Sequence, residues 1–90
     1  MRCIEIDNYI EYITSIILRK EYNENDVEKL NKIKDMFHLM KYLFLLNKYR
    51  ASLSLLKEIT DISDTLDCLI LRKEIYSSTN NLFFTIRDKC

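Results

Sequence analysis

The sequence predicts an all-α fold, a compact bundle of four to five short helices forming a single domain over residues 1–90. Three observations predict it. Apolar residues recur three and four apart along most of the chain, the spacing that lines one face of a helix. Strict apolar–polar alternation, the mark of a half-buried strand, never lasts more than a few residues, and short strands would fit only at residues 3–6 or 83–86. Glycine and proline are both absent. Tight glycine hairpins, a Walker loop, a dinucleotide-binding glycine turn and a proline-rich linker are thereby excluded. At 48% hydrophobic and 31% charged, the chain has the balance of a globular domain rather than of a disordered segment.

The first helix is expected over residues 7–22, with Ile6, Tyr9, Ile10, Ile13 and Ile17 on its apolar face and Asp7 as its cap. Residues 21–26 are polar, and Asn23 and Asn25 act as stop and turn residues. A second helix is expected to start at Asn25, which with Glu28 makes the spacing of a capping box. Leu30, Ile33, Phe37, Met40 and Phe44 form its inner stripe. Leu39, Leu43 and Leu46 add a second stripe, and Tyr42, Leu45 and Tyr49 a third, so this end is apolar all round. After a break at residues 47–50, a third helix is expected over residues 51–59, with Leu53, Leu56 and Ile59 inward and Lys57 and Glu58 outward. Residues 60–64 read as a connection. Ser63 or Asp64 would cap a fourth helix over residues 65–73, with Leu66, Leu69 and Ile70 as its apolar face. The polar stretch 77–81 reads as an interruption, followed by a final turn or two in which Leu82, Phe83 and Ile86 share a face.

Fourteen basic residues balance fourteen acidic ones, and neither half of the chain carries a sign excess. Direct nucleic-acid binding, which needs a basic face, and an anionic membrane surface are not expected as targets. No apolar run approaches the length of a membrane span. Cys3, Cys68 and Cys90 are odd in number and far apart, with no CxxC pair and no secretory signal before them. Free thiols in a reducing intracellular compartment, cytoplasm or nucleus, follow as the expectation. The abundance of Ile, Asn, Lys and Tyr points to an AT-rich coding sequence.

No residue pattern demands catalysis, a cofactor or a metal. The single histidine, His38, is 30 residues from Cys68 and reads as an ordinary helix residue rather than half of a nucleophilic dyad. Asp64 and Asp67 fall near one expected helix N-terminus, where carboxylates complement the dipole without acting as acid and base. The basic pairs Arg19–Lys20 and Arg72–Lys73 read as solvated helix faces, with an anion or acidic-peptide contact as the alternative. Phe83 and Phe84 are adjacent, so both cannot point into one core. One of them, with Tyr42, Leu45 and Tyr49, is the candidate for exposed apolar anchors at a partner site.

Ser52-Leu53-Ser54-Leu55-Leu56-Lys57-Glu58-Ile59-Thr60-Asp61-Ile62 runs on into Thr65-Leu66-Asp67-Cys68-Leu69, and then Glu74-Ile75-Tyr76-Ser77-Ser78-Thr79-Asn80-Asn81-Leu82 follows a short spacer. This stretch resembles the N-terminal helical domain of transcription elongation factor TFIIS, shared with Elongin A. The family pattern is a leucine-rich helix, an I-x-x-T-x-x-L-L step, and then T-x-I-G-x-x-V-N-x-L. Tyr76 stands where that pattern has its glycine, the spacer is one residue longer, and the family's tryptophan-bearing last helix has no counterpart here. The resemblance implies a non-catalytic bundle that docks short acidic-plus-aromatic motifs of disordered transcription factors. Lys57, Arg72 and Lys73 would then be rim charges and Phe83 or Phe84 a groove residue.

The expected function is a non-enzymatic helical interaction module with a protein partner or short peptide motif. The alternative is a small structural subunit that forms a homo-oligomer, or is buried in a larger assembly, through the apolar end at residues 42–46.

Overall fold

Ile6, Ile10, Ile13 and Ile16 make one apolar ridge, and Leu30, Ile33, Phe37, Met40 and Phe44 make another. Packing such ridges together gives the observed architecture. A computed structural model describes residues 4–89, which form α1 (Ile4–Arg19), α2 (Glu24–Leu45), α3 (Tyr49–Ser63) and α4 (Leu69–Arg87), with no strand among the described residues. The helices run up, down, up and down, each packed on its sequence neighbour, and the α1–α4 seam is the lightest contact. The 37 Å long dimension matches a 22-residue α2, which rises about 33 Å.

Helix α1 begins before Asp7, so Asp7 lies in its first turn rather than at its cap. There its Oδ1 accepts a hydrogen bond from Lys41 Nζ at 2.7 Å, pinning the start of α1 to the end of α2. Half exposed, this pair contributes under about 1 kcal/mol. The helix stops at Arg19, and Lys20 takes a left-handed φ of 57°. Ile16 rather than Ile17 completes the buried face, and Ile17 is half-buried.

The cap of α2 is Asn23, two residues before the expected Asn25. Its side chain accepts from the Asp26 backbone N–H at 2.7 Å. All five residues of the expected inner stripe are buried. At the other end Lys48 N–H bonds Leu43 O (2.9 Å), Asn47 N–H bonds Phe44 O (3.0 Å), and Asn47 is left-handed at φ 60°. That is a Schellman stop with asparagine in the usual glycine place.

Helix α3 runs further than expected at both ends. Residues 60–63 are helical because Thr60 and Ser63 hydroxyls donate back to Leu56 O (3.0 Å) and Thr60 O (2.8 Å), satisfying themselves without breaking the turn. Ser52, fully buried, donates to Lys48 O and lies 3.5 Å from Met40 O, so its small side chain lets α3 approach α2 closely.

The expected fourth helix is corrected in start, phase and length. It begins at Leu69, with Cys68 in the capping position instead of Ser63 or Asp64. Leu66 is buried, but in the connection, while Leu69 (63% exposed) and Ile70 (67%) face outward. The buried face is Leu71, Ile75, Thr79, Leu82 and Ile86. Residues 77–81 do not interrupt it: Ser78 Oγ donates to Glu74 O and Thr79 Oγ1 to Tyr76 O, both at 3.0 Å. The final turns are therefore part of α4, and the bundle has four helices.

The segment leading into α4 is held by a carboxylate from α2. Asp26, 1% exposed, accepts the Asp67 N–H on Oδ1 (2.8 Å) and the Cys68 N–H on Oδ2 (3.1 Å). A carboxylate from α2 thus holds Asp67 and the N-cap residue Cys68 just ahead of α4, at the end where the dipole favours negative charge. Asn23 Nδ2 donates to Asp67 Oδ2 (3.0 Å), Lys29 Nζ to Thr65 O (2.8 Å), and Arg72 Nε to Leu66 O. The α3–α4 connection is held at both edges. No helix among the described residues is long and apolar enough to cross a membrane.

Candidate functional site

Between α3 and α4 the surface opens into a cleft of about 390 Å³. Leu53, Lys57 and Thr60 line one wall and Tyr76, Asn80 and Phe83 the other. Each trio is spaced i, i+4, i+7, one stripe of a helix lying just beside its buried face. Leu53 is half-buried against the core, whereas Tyr76 and Phe83 are 56% and 40% exposed. The groove is therefore apolar, wet and open.

One end of the groove is cationic and aromatic. The Phe83 and Phe84 rings meet edge to face, 5.7 Å between centroids at 78°. The Arg87 guanidinium lies 4.8 Å from the Phe84 centroid and 5.7 Å from that of Phe83. Arg50 and Lys89 line an adjoining depression. Asp88, between Arg87 and Lys89, is the one carboxylate in residues 47–57 and 75–89, the segments that build this end. A chain of zero net charge thus carries a local positive field.

The structure divides the sequence-derived partner residues into groups. Lys57 and Phe83 both line the groove. Lys73 is exposed one turn before Tyr76. Phe84, 46% exposed, points outward under Arg87. Tyr42 (69% exposed) and Leu45 (61%) form a separate patch at the end of α2. Two expectations are corrected. Tyr49 is not an exposed anchor: it belongs to α3, and its ring packs edge-on against Phe44 at 5.3 Å. Arg72 is not a free rim charge, because its Nε is committed to Leu66 O. Tyr76 and Asn80 escaped the sequence reading. Their spacing with Phe83 was available, but only once the phase of α4 is known.

The titratable groups are dispersed. His38 is exposed on α2, and Cys68 is a half-buried free thiol at the start of α4. Cys3 and Cys90 lie outside the described residues. Asp64 is the C-cap of α3 and Asp67 precedes the cap of α4, so the pair does not share one helix N-terminus as expected. Among the described residues no three His, Cys, Asp or Glu side chains are grouped to hold a metal ion. The chain matches no known family model, no curated protein and no solved structure.

Proposed function

We propose that this protein is a non-catalytic interaction module that docks a short peptide of a protein partner in the α3–α4 groove. The observation that carries the reading is an open apolar cleft at whose one end Arg50, Arg87 and Lys89 outnumber the single carboxylate of Asp88. Such a surface fits a segment with an aromatic or aliphatic anchor and acidic neighbours. The anchor would fill the space between Leu53 and Phe83, and its carboxylates would lie toward Lys57, Arg50 and Arg87. All of the wall residues but Phe83, which follows directly, come from the stretch that resembles the TFIIS N-terminal domain: residues 52–62 are on α3 and residues 74–82 on α4. Disordered tails of transcription elongation factors are therefore the first ligands to try.

The test is a display selection from a library of disordered acidic tails, followed by NMR titration of the selected peptides against labelled protein. Amide shifts should concentrate at Leu53, Lys57, Tyr76, Asn80 and Phe83, and Phe83→Ala should weaken binding at least tenfold while leaving the helical spectrum intact. Selection of no peptide, or shifts mapping to another face, would sink the reading.

A further inference from the structure

One end of the groove holds a cation in a fixed place. Phe83 lines the groove, and Arg87 follows it by one turn of α4 on the same stripe. The Arg87 guanidinium rests on two rings, 4.8 Å from the Phe84 centroid and 5.7 Å from that of Phe83. The rings limit a side chain whose freedom is otherwise costly for a ligand to fix. Among the described residues no carboxylate pairs with Arg87, so its N–H fork is left for a ligand. Arg50 and Lys89, the other cations of this end, are exposed, and among the described residues neither lies over a ring.

The opposite end of the groove differs. Beyond Thr60 and Tyr76, α3 ends with Asp61 and Asp64, and the start of α4 carries Arg72 and Lys73. Those charges offset one another, whereas Arg50, Arg87 and Lys89 outweigh Asp88 at the Phe83 end. A ligand carboxylate therefore gains at one end alone. Four helical residues place Arg87 about 6 Å beyond Phe83, the span of about two residues of extended chain. An anchor seated against Phe83 thus brings a neighbouring carboxylate of the same peptide within reach of Arg87.

We infer that Arg87 determines the specificity of the groove, a step that rests on the peptide-docking role proposed above. The ligand is a peptide that carries its carboxylates on one flank of the apolar anchor, and the carboxylate nearest the anchor binds the Arg87 fork. Acidic residues on the other flank add nothing to binding.

The experiment is NMR titration of the labelled full chain with synthetic peptides of serine and glycine around one phenylalanine. Glutamates stand before the anchor, after it or on both sides, and glutamines replace them in the control peptide. The better of the two one-sided peptides should bind about tenfold tighter than the glutamine peptide, and the two-sided peptide should improve on it by less than about twofold. Arg87→Gln should cut the tenfold preference to less than about threefold, whereas Arg50→Gln should leave it above about fivefold. Both side chains are exposed, so the helical circular dichroism of both variants should match the wild type. Equal losses from Arg87→Gln and Arg50→Gln overturn the inference, as does a two-sided peptide that binds another tenfold tighter, because net charge then decides. A glutamine peptide that shifts Leu53, Tyr76 and Phe83 and binds as tightly as the glutamate peptides overturns the inference and leaves the groove reading standing. No shift at those residues with any peptide refutes the groove reading and takes the role of Arg87 with it.

Discussion

Replacing Asp26 with alanine removes the side chain that holds the two residues leading into α4 and leaves the helices in place around it. The carboxylate accepts two backbone N–H groups, from Asp67 and Cys68, at 2.8 and 3.1 Å. A hydrogen bond to a charged group contributes about 1.5–3 kcal/mol. Asp67 is exposed and Cys68 half-buried, so water recovers part of the loss, and the lower figure applies to each. The expected cost is about 3 kcal/mol, a large share of the roughly 5–13 kcal/mol available to a domain of this size. In urea the midpoint should fall by about 2 M, and on heating Tm should fall by about 12–24 °C. Asp26→Asn keeps the shape and one acceptor oxygen but turns an amide toward the second N–H, so about half the loss is expected. Asp35→Ala, exposed on the same helix, is the control and should change stability by no more than about 0.5 kcal/mol. Circular dichroism during urea unfolding measures all three. If Asp26→Ala costs less than about 1 kcal/mol, or Asp26→Asn matches the wild type, the connection is positioned by packing of Leu66 alone and the Asp26 carboxylate is not what holds the approach to α4.

The corrected phase of α4 predicts opposite outcomes for two leucines three residues apart. Leu66→Ala empties a fully buried site and should cost about 2–5 kcal/mol in urea unfolding, whereas Leu69→Ala, 63% exposed, should stay within about 0.5 kcal/mol. The two left-handed residues predict a gain. Lys20→Gly should stabilise the protein by about 0.5–1 kcal/mol, and Asn47→Gly by less, because asparagine adopts that conformation at a lower cost than lysine. Equal gains at both sites in thermal melts would count against the backbone origin of the effect.

The parts of the fold that were legible in the sequence are those decided by local periodicity. Leu30, Ile33, Phe37, Met40 and Phe44 are all buried because theirs is the one apolar stripe that runs the length of the 22-residue helix, the others being confined to its end. The misread segments are those rich in Ser, Thr and Asn, where two local outcomes compete. Thr60, Ser63, Ser78 and Thr79 suit loops by their local chemistry, since such side chains cap and turn chains. Within a packed helix the same hydroxyls bond the carbonyl three or four residues back, and nothing in the sequence near them says which outcome wins. The start of α4 was illegible for a different reason. Its approach is held by Asp26, more than 40 residues away, and a contact that arrives through tertiary structure leaves no mark beside the helix.

That distant contact is also why the candidate site could be read only in part. Phe83 and Lys57 could be named from exposure arguments, but pairing them across a groove requires the rotation of α4 about its own axis. Had α4 taken the expected face of Leu66, Leu69 and Ile70, Tyr76 and Phe83, seven residues apart and so always on a common side, would have turned with it away from α3. The observed face, Leu71, Ile75, Thr79, Leu82 and Ile86, brings Tyr76, Asn80 and Phe83 beside Leu53 and Lys57 instead. Asp26 holds the residues that lead into the helix, and Leu66 is buried just ahead of them. The groove on one side of the bundle thus depends on the buried stripe of α4, whose approach is held by a carboxylate on α2 that does not line the groove. Asp26→Ala should therefore weaken peptide capture at protein concentrations and temperatures where the bundle is still folded, and it should do so without altering any groove residue.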